Sequence, residues 1–121
     1  MPEPLDAEAL DALLALTGGD AGLYAELLDA FLGDATLYMA ELEAAIGSGA
    51  DDELLRPAHS LKSNAMSIGA TRLTDLCRDL EADARSGAVP AARGRVGAIR
   101  TELDVVIGAV RTARREAVGD A

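Results

Sequence analysis

With 21 acidic against 11 basic side chains in 121 residues, the chain carries a net charge of −10. Such a surface suits neither nucleic acid nor an anionic membrane, whose binding needs clustered Lys and Arg. One cysteine excludes an internal disulfide framework, no apolar run is long enough to span a bilayer, and the acidic start MPEPLDAEAL is unlike a secretory signal.

These bounds lead us to expect one domain over residues 1–121, cytoplasmic and monomeric, with room for one modest core. Trp is absent, and Tyr24, Phe31 and Tyr38 are the aromatic residues. The core is therefore aliphatic, and the abundance of Ala and Leu leans all-α.

Pro2 and Pro4 should keep the first residues extended. A short helix follows over 6–16, with Leu10, Leu13 and Leu14 as its apolar stripe. Thr17-Gly18-Gly19 ends it, and Asp20 suits the N-cap of the next. From 20 to 46 the period is helical, with Leu23, Leu27, Ala30, Phe31, Tyr38, Leu42 and Ala45 at three- and four-residue steps. Gly33-Asp34 offers a break, but one helical Gly costs only about 1 kcal/mol, so one long helix is favoured.

After the turn Gly47–Ala50, a third helix is expected over 52–67. Asp51, Asp52 and Glu53 stand at its N-terminal end, and Leu54, Ala58, Leu61, Ala65 and Ile68 form its stripe. Pro57 lacks an N–H and crowds the preceding turn. Either the regular helix begins later than the acids suggest, or it bends just before His59.

Gly69 separates this helix from one over 70–85, with Leu73, Leu76, Cys77, Leu80 and Ala84 inward. Pro90 suits the first turn of the last helix, 90–116, whose stripe is Val96, Ile99, Leu103, Val106, Val110 and Ala113. Gly94, Gly97 and Gly108 weaken it but would permit close helix contact. Short connections force antiparallel neighbours. The expected fold is an antiparallel up-down four-helix bundle with the short first helix capping one end.

One stretch of this bundle gathers unusual residues. Residues 58–81, AHSLKSNAMSIGATRLTDLCRDLE, hold the sole histidine, His59, the sole lysine, Lys62, and the sole cysteine, Cys77. On a helical wheel His59, Lys62, Ser63 and Met66 share a stripe away from the core. His59 precedes the turn at Gly69-Ala70 by about as far as Glu81 follows it, so the two should stand level on adjacent helices. A carboxylate there can accept a hydrogen bond from one imidazole nitrogen, fix the tautomer, and leave the other nitrogen as an exposed nucleophile. A surface His with a Lys beside it is also commonplace on inert helices.

His59-Ser60-Leu61-Lys62-Ser63, then Gly69-Ala70, Leu73, Leu76-Cys77 and Leu80-Glu81, resembles the signature of histidine-containing phosphotransfer (HPt) domains. That signature runs His-x-Leu-Lys-Gly, a Gly after the helix, then Leu-x-x-Leu-Cys-x-x-Leu-Glu or Gln. The resemblance implies that His59 accepts a phosphoryl group from a receiver-domain aspartate or a histidine kinase and passes it to another receiver. It also implies that Lys62 helps neutralise the phosphate, that the small Ser63 leaves room for the partner, and that Glu81 orients the ring. Mg²⁺ and the acceptor aspartate would come from the receiver domain, so no cofactor of its own is expected.

Three features depart from the pattern: Ser63 for the commoner Gly, Pro57 close to the nucleophile, and Glu rather than Gln at 81. A Glu would hold the ring more strongly, and would repel a phosphate if it pointed outward. Arg56 and Arg78 are candidate extra charges near the site. Ser60, Asn64, Ser67 and Met66 are candidates for the docking rim. Each is also an ordinary exposed side chain.

Cys77 reads as a buried small apolar residue. One His and one Cys fall short of a usual zinc set, so no metal site is expected. No glycine-rich nucleotide loop is present, which points to a phosphoryl carrier and not an autonomous kinase. The competing readings are an HPt-like module that binds a receiver or kinase without transfer, and a phospho-accepting domain cut from a chemotaxis-type or hybrid kinase. A kinase dimerisation domain fits poorly, because His59 is not followed by a Glu and a Thr/Asn-Pro pair.

Overall fold

In a computed structural model, which describes residues 3–119, the chain forms five α-helices: α1 Ala7–Leu16, α2 Ala21–Ser48, α3 Leu55–Ser67, α4 Thr71–Ser86 and α5 Val89–Val118. Helices α2 to α5 pack as an up-down ring in which each meets two neighbours, and α2 closes on α5. The expectation for Pro2 lies outside the described residues. Local signals place the helix ends. The carboxylate of Asp6 accepts from the Glu8 N–H, and that of Asp20 from the Leu23 N–H.

The core is aliphatic. Leu28, Met39, Leu42, Leu61, Leu73, Leu80, Ile99, Leu103, Val106 and Val110 are fully buried. Each such side chain contributes about 1.5–3 kcal/mol of burial free energy, which holds the helices at fixed register. Tyr24 and Phe31 join this core, and the half-buried Tyr38 packs against it.

Three expectations are corrected. In α2 the buried stripe is Tyr24, Leu28, Phe31, Ala35, Met39, Leu42 and Ala45, whereas Leu23, Leu27 and Ala30 are exposed. The N-terminal half of this helix is apolar on almost every face, so two stripes one residue apart fit its sequence equally well. In α5, Gly94, Gly97 and Gly108 lie on the exposed side with open space where a Cβ would stand. They permit no close helix contact.

The third correction concerns the start of α3. Asp51–Glu53 form a 3₁₀ turn, and the α-helix begins at Leu55. Its first backbone bond runs from the Ala58 N–H to the Leu54 carbonyl. Pro57 therefore occupies the last position of the first turn, where the N–H has no intrahelical partner in any helix. The later start removes the need for a bend before His59.

Helix α1 docks on the α3–α4 turn. The Asp6 N–H donates to the Gly69 carbonyl at 2.9 Å. Gly69 has φ of +70°, and a Cβ there would stand 2.6 Å from the Ala9 Cβ. Only glycine fits both the left-handed backbone and the close approach. His59 lies on the same helix about 15 Å before this turn, at 1.5 Å per residue, so α1 stands away from it.

Candidate functional site

His59 sits near the start of α3 with its side chain 60% exposed, while Glu81, level with it on α4, is only 3% exposed. The three residues Leu80, Glu81 and Ala84 turn the inner edge of α4 toward the bundle. Leu80 is fully buried, and Glu81 follows it at the seam between α3 and α4.

The Nδ1 of His59 lies 3.4 Å from Glu81 Oε1. That is longer than an ordinary N–H···O hydrogen bond, but it turns Nδ1 inward. Nε2, the opposite ring nitrogen, is left on the solvent side. A carboxylate only accepts, so Nδ1 facing it carries the proton and Nε2 carries the free lone pair. This is the arrangement a nitrogen nucleophile requires.

Lys62 is the tighter partner of the same oxygen. Its Nζ stands 2.8 Å from Glu81 Oε1, and its side chain is only 19% exposed. Oε1 is shielded from solvent and meets no partner in full hydrogen-bond geometry. The ammonium charge is therefore what compensates it. Burial pushes the Glu81 carboxyl up, but Lys62 and, less strongly, His59 pull it down by more, so it sits below the usual carboxylate range. The second oxygen, Oε2, faces the Arg85 guanidinium at 3.4 Å, one helical turn further along α4.

An open recess of about 560 Å³ lies beside His59, lined by Asp52, Leu55, Arg56, His59, Ser60 and Arg85. Arg56 and Ser60 thus stand beside His59. Ser63 is exposed on α3, Asn64 half-buried, and Met66 is 57% exposed. The Ser67 hydroxyl donates to the Asn64 carbonyl and is occupied within its own helix. Arg78 is turned onto Asp75 at 2.9 Å and does not line the recess. The structure thus brings His59, Lys62 and Glu81 into one cluster, sets Arg56 and Ser60 on its border, and leaves Arg78 and Ser67 engaged locally.

Arg85 joins the cluster without belonging to the family signature. The signal was present, because Arg85 follows Glu81 by four residues and must share its face of α4. Cys77 is fully buried, and burial, reinforced by the Glu81 charge, pushes its thiol up to about 12. Several arginines of α5 form ion pairs across the bundle, among them Arg95 with Asp83, Arg100 with Glu43 and Arg114 with Asp29. Among the described residues no group of three or more His, Cys, Asp or Glu side chains is placed to hold a metal, and no helix is long and apolar enough to cross a membrane.

Comparisons with known proteins agree with this geometry. The family model described as Hpt domain matches residues 26–109. The crystal structure of histidine-containing phosphotransfer protein B (HptB) from Pseudomonas aeruginosa PAO1 superposes with a TM-score of 0.87. Identity to it is 28%, over 96% of this chain and 98% of that one. No curated protein matches the chain.

Proposed function

The chain belongs to the Hpt domain family and is a histidine phosphotransfer protein of a phosphorelay; from that premise we propose that His59 is the residue that carries the phosphoryl group. The observation that carries this reading is the pairing of an inward Nδ1 on Glu81 with an outward Nε2 on an exposed ring. As a phosphocarrier the chain lends a nucleophile to chemistry that a partner completes.

In the step we propose, the Nε2 lone pair of His59 attacks the phosphorus of an aspartyl phosphate on a receiver domain. A P–N bond forms as the P–O bond to the aspartate breaks, and the carboxylate leaves with the bonding pair. The proton on Nδ1 stays where it is. The ring gains positive charge, and the Glu81 carboxylate beside Nδ1 stabilises it. Transfer onward is the same step reversed, so the P–N bond must stay reactive. Phosphoryl transfer of this kind depends on positioning and charge neutralisation, with little covalent help.

The receiver domain supplies the aspartate and Mg²⁺ in this reading, and a histidine kinase or hybrid kinase charges the relay. Lys62 reduces repulsion between the incoming phosphoryl group and Glu81, because it neutralises that carboxylate from within. Ser60, Ser63, Asn64, Met66 and Arg56 form the surface on which the receiver docks. A monomer meeting its kinase and regulator in the cytoplasm is the simplest working unit.

The test is incubation with a phosphorylated receiver domain. The chain should take up an acid-labile, base-stable phosphoryl group, and His59→Gln should take up none. Full labelling of His59→Gln would overturn the assignment.

A further inference from the structure

The acidic side chains of this protein are unevenly spread. Its first basic residue is Arg56, so residues 1–55, which include α1, α2 and the 3₁₀ turn, carry most of the 21 acids and no Lys or Arg. Some of these acids are matched from α5, Asp29 by Arg114 and Glu43 by Arg100. Glu26, Asp34 and Glu41 of α2 are exposed and form no ion pair among the described residues.

The outer face of α2 is apolar as well as acidic. Leu23 is 44% exposed, Leu27 39% and Leu37 56%. Leu23, Leu27, Ala30, Asp34, Leu37 and Glu41 follow one another in alternating steps of four and three residues. They therefore line one side of the helix over about 27 Å, and all are exposed. The buried stripe of Leu28, Ala35 and Met39 lies on another side. A four-three repeat is the seam by which one helix receives a second.

Charge selects the occupant. A second copy of this chain would set acid against acid across the seam. Anionic membrane and nucleic acid are repelled for the same reason. A helix with an apolar stripe flanked by Lys and Arg matches both the leucines and the unpaired acids.

We propose that the outer face of α2 is a docking site for a cationic amphipathic helix of a partner protein. The apolar stripe of that helix covers Leu23, Leu27 and Leu37, and its cations meet Glu26, Asp34 and Glu41. The first two leucines lie far from the candidate transfer site. From Leu27 to Ser48, where α2 ends and the chain turns toward α3 and His59, is about 30 Å. Docking there requires no contact with His59 and holds whether or not His59 is the phosphoryl acceptor.

The probe is a fluorescently labelled Leu/Lys peptide of about 18 residues with its leucines at the same four-three spacing. Its control has the same composition in an order that scatters the leucines around the helix. Fluorescence anisotropy at about 50 mM salt reads the binding. The patterned peptide should bind at least about tenfold more tightly than the scattered one. Leu23→Gln combined with Leu27→Gln should weaken it by about tenfold or more, and neither side chain belongs to the buried core. Asp34→Asn combined with Glu41→Gln should weaken binding and flatten its salt dependence. That second pair keeps both leucines, so it also answers the possibility that the first disturbs the fold.

Two references should bind as the wild type does: His59→Gln, and Val105→Gln, which alters an exposed apolar side chain on α5. Equal binding of the two peptides would reduce the attraction to net charge and overturn the proposal. Failure of the patterned peptide to bind, unchanged binding in the α2 variants, or loss in either reference would overturn it too. Sedimentation of the chain alone should show a monomer. A dimer that Leu23→Gln with Leu27→Gln dissolves would make a second copy the occupant and overturn the choice of a cationic partner.

Discussion

Lys62 Nζ stands 2.8 Å from Glu81 Oε1, the same oxygen that faces His59 Nδ1 at 3.4 Å. One buried carboxylate thus serves two purposes: it turns the His59 ring and it holds the nearest ammonium. The pairing joins α3 to α4 at the height of His59, so the fold and the candidate site share one contact.

That shared contact has a pH signature. The folded-state pKa of Glu81 is depressed below its ordinary value of 4.5. Its contribution to stability is then fully present above that value and is lost as pH falls through the lower folded value. Glu81→Gln should cost about 2 kcal/mol at neutral pH, because it leaves the covered Lys62 without its counter-charge. The cost should shrink in acid. Urea midpoints of wild type and Glu81→Gln between pH 7 and pH 3 measure this, and a constant difference across the range would contradict it.

Lys62→Ala should slow transfer from a phosphorylated receiver by about ten- to a hundredfold. It exposes the incoming phosphoryl group to a carboxylate whose Oε1 has lost its ammonium. Adding Glu81→Gln to Lys62→Ala should return part of the rate, since the repelling charge is then gone. Single-turnover rates of the two variants test the sign of this coupling. A double variant slower than Lys62→Ala alone would show that Glu81 helps even without its cation.

At the far end of the bundle, Gly69→Ala should destabilise the fold by about 1–3 kcal/mol. The new Cβ would meet Ala9 and Asp6 of the α1 segment in a left-handed backbone position. The α1 helix should loosen from the α3–α4 turn, and the Asp6 amide, which donates to the Gly69 carbonyl, should exchange faster with solvent. Transfer through His59 should change little. Hydrogen exchange at Asp6 and denaturant unfolding check the two parts separately.

Cys77 should resist thiol reagents in the folded chain, because it is fully buried and its thiol is pushed up to about 12. Reaction with a chromogenic disulfide reagent at pH 8 should require denaturant and follow global unfolding. Fast modification of the native chain would contradict the packing of α4.

Much of the site was legible because two simple periodicities meet there. The three-residue step from His59 to Lys62 fixes one face of α3, and reflection about the Gly69 turn brings Glu81 level with His59. Sequence left open how Lys62 divides between Glu81 and solvent, since a flexible four-carbon stem can serve either. Arg85 was missed although its four-residue step from Glu81 is as simple as the one that found Lys62.

The bundle was legible for related reasons. Turn and cap residues mark the connections well, as at Thr17–Asp20 and Ser86-Gly87. The phase of α2 was not fixed, because Leu23, Leu27, Leu28 and Leu32 put apolar groups on most of its surface. Only packing against α3 and α5 selects the Leu28, Ala35 and Met39 face. Pro57 was ambiguous because helix starts depend on which backbone bond forms first. The Ala58 to Leu54 bond places it harmlessly in the first turn.

The nitrogen of His59 that faces Glu81 decides which one is open to phosphorylation. The most direct test is to phosphorylate the chain from a receiver domain and determine the phosphohistidine isomer by ³¹P–¹⁵N NMR on the folded protein. The inward Nδ1 predicts a single species, phosphorylated on Nε2 of His59. Phosphorylation on Nδ1, or on any residue other than His59, would contradict it.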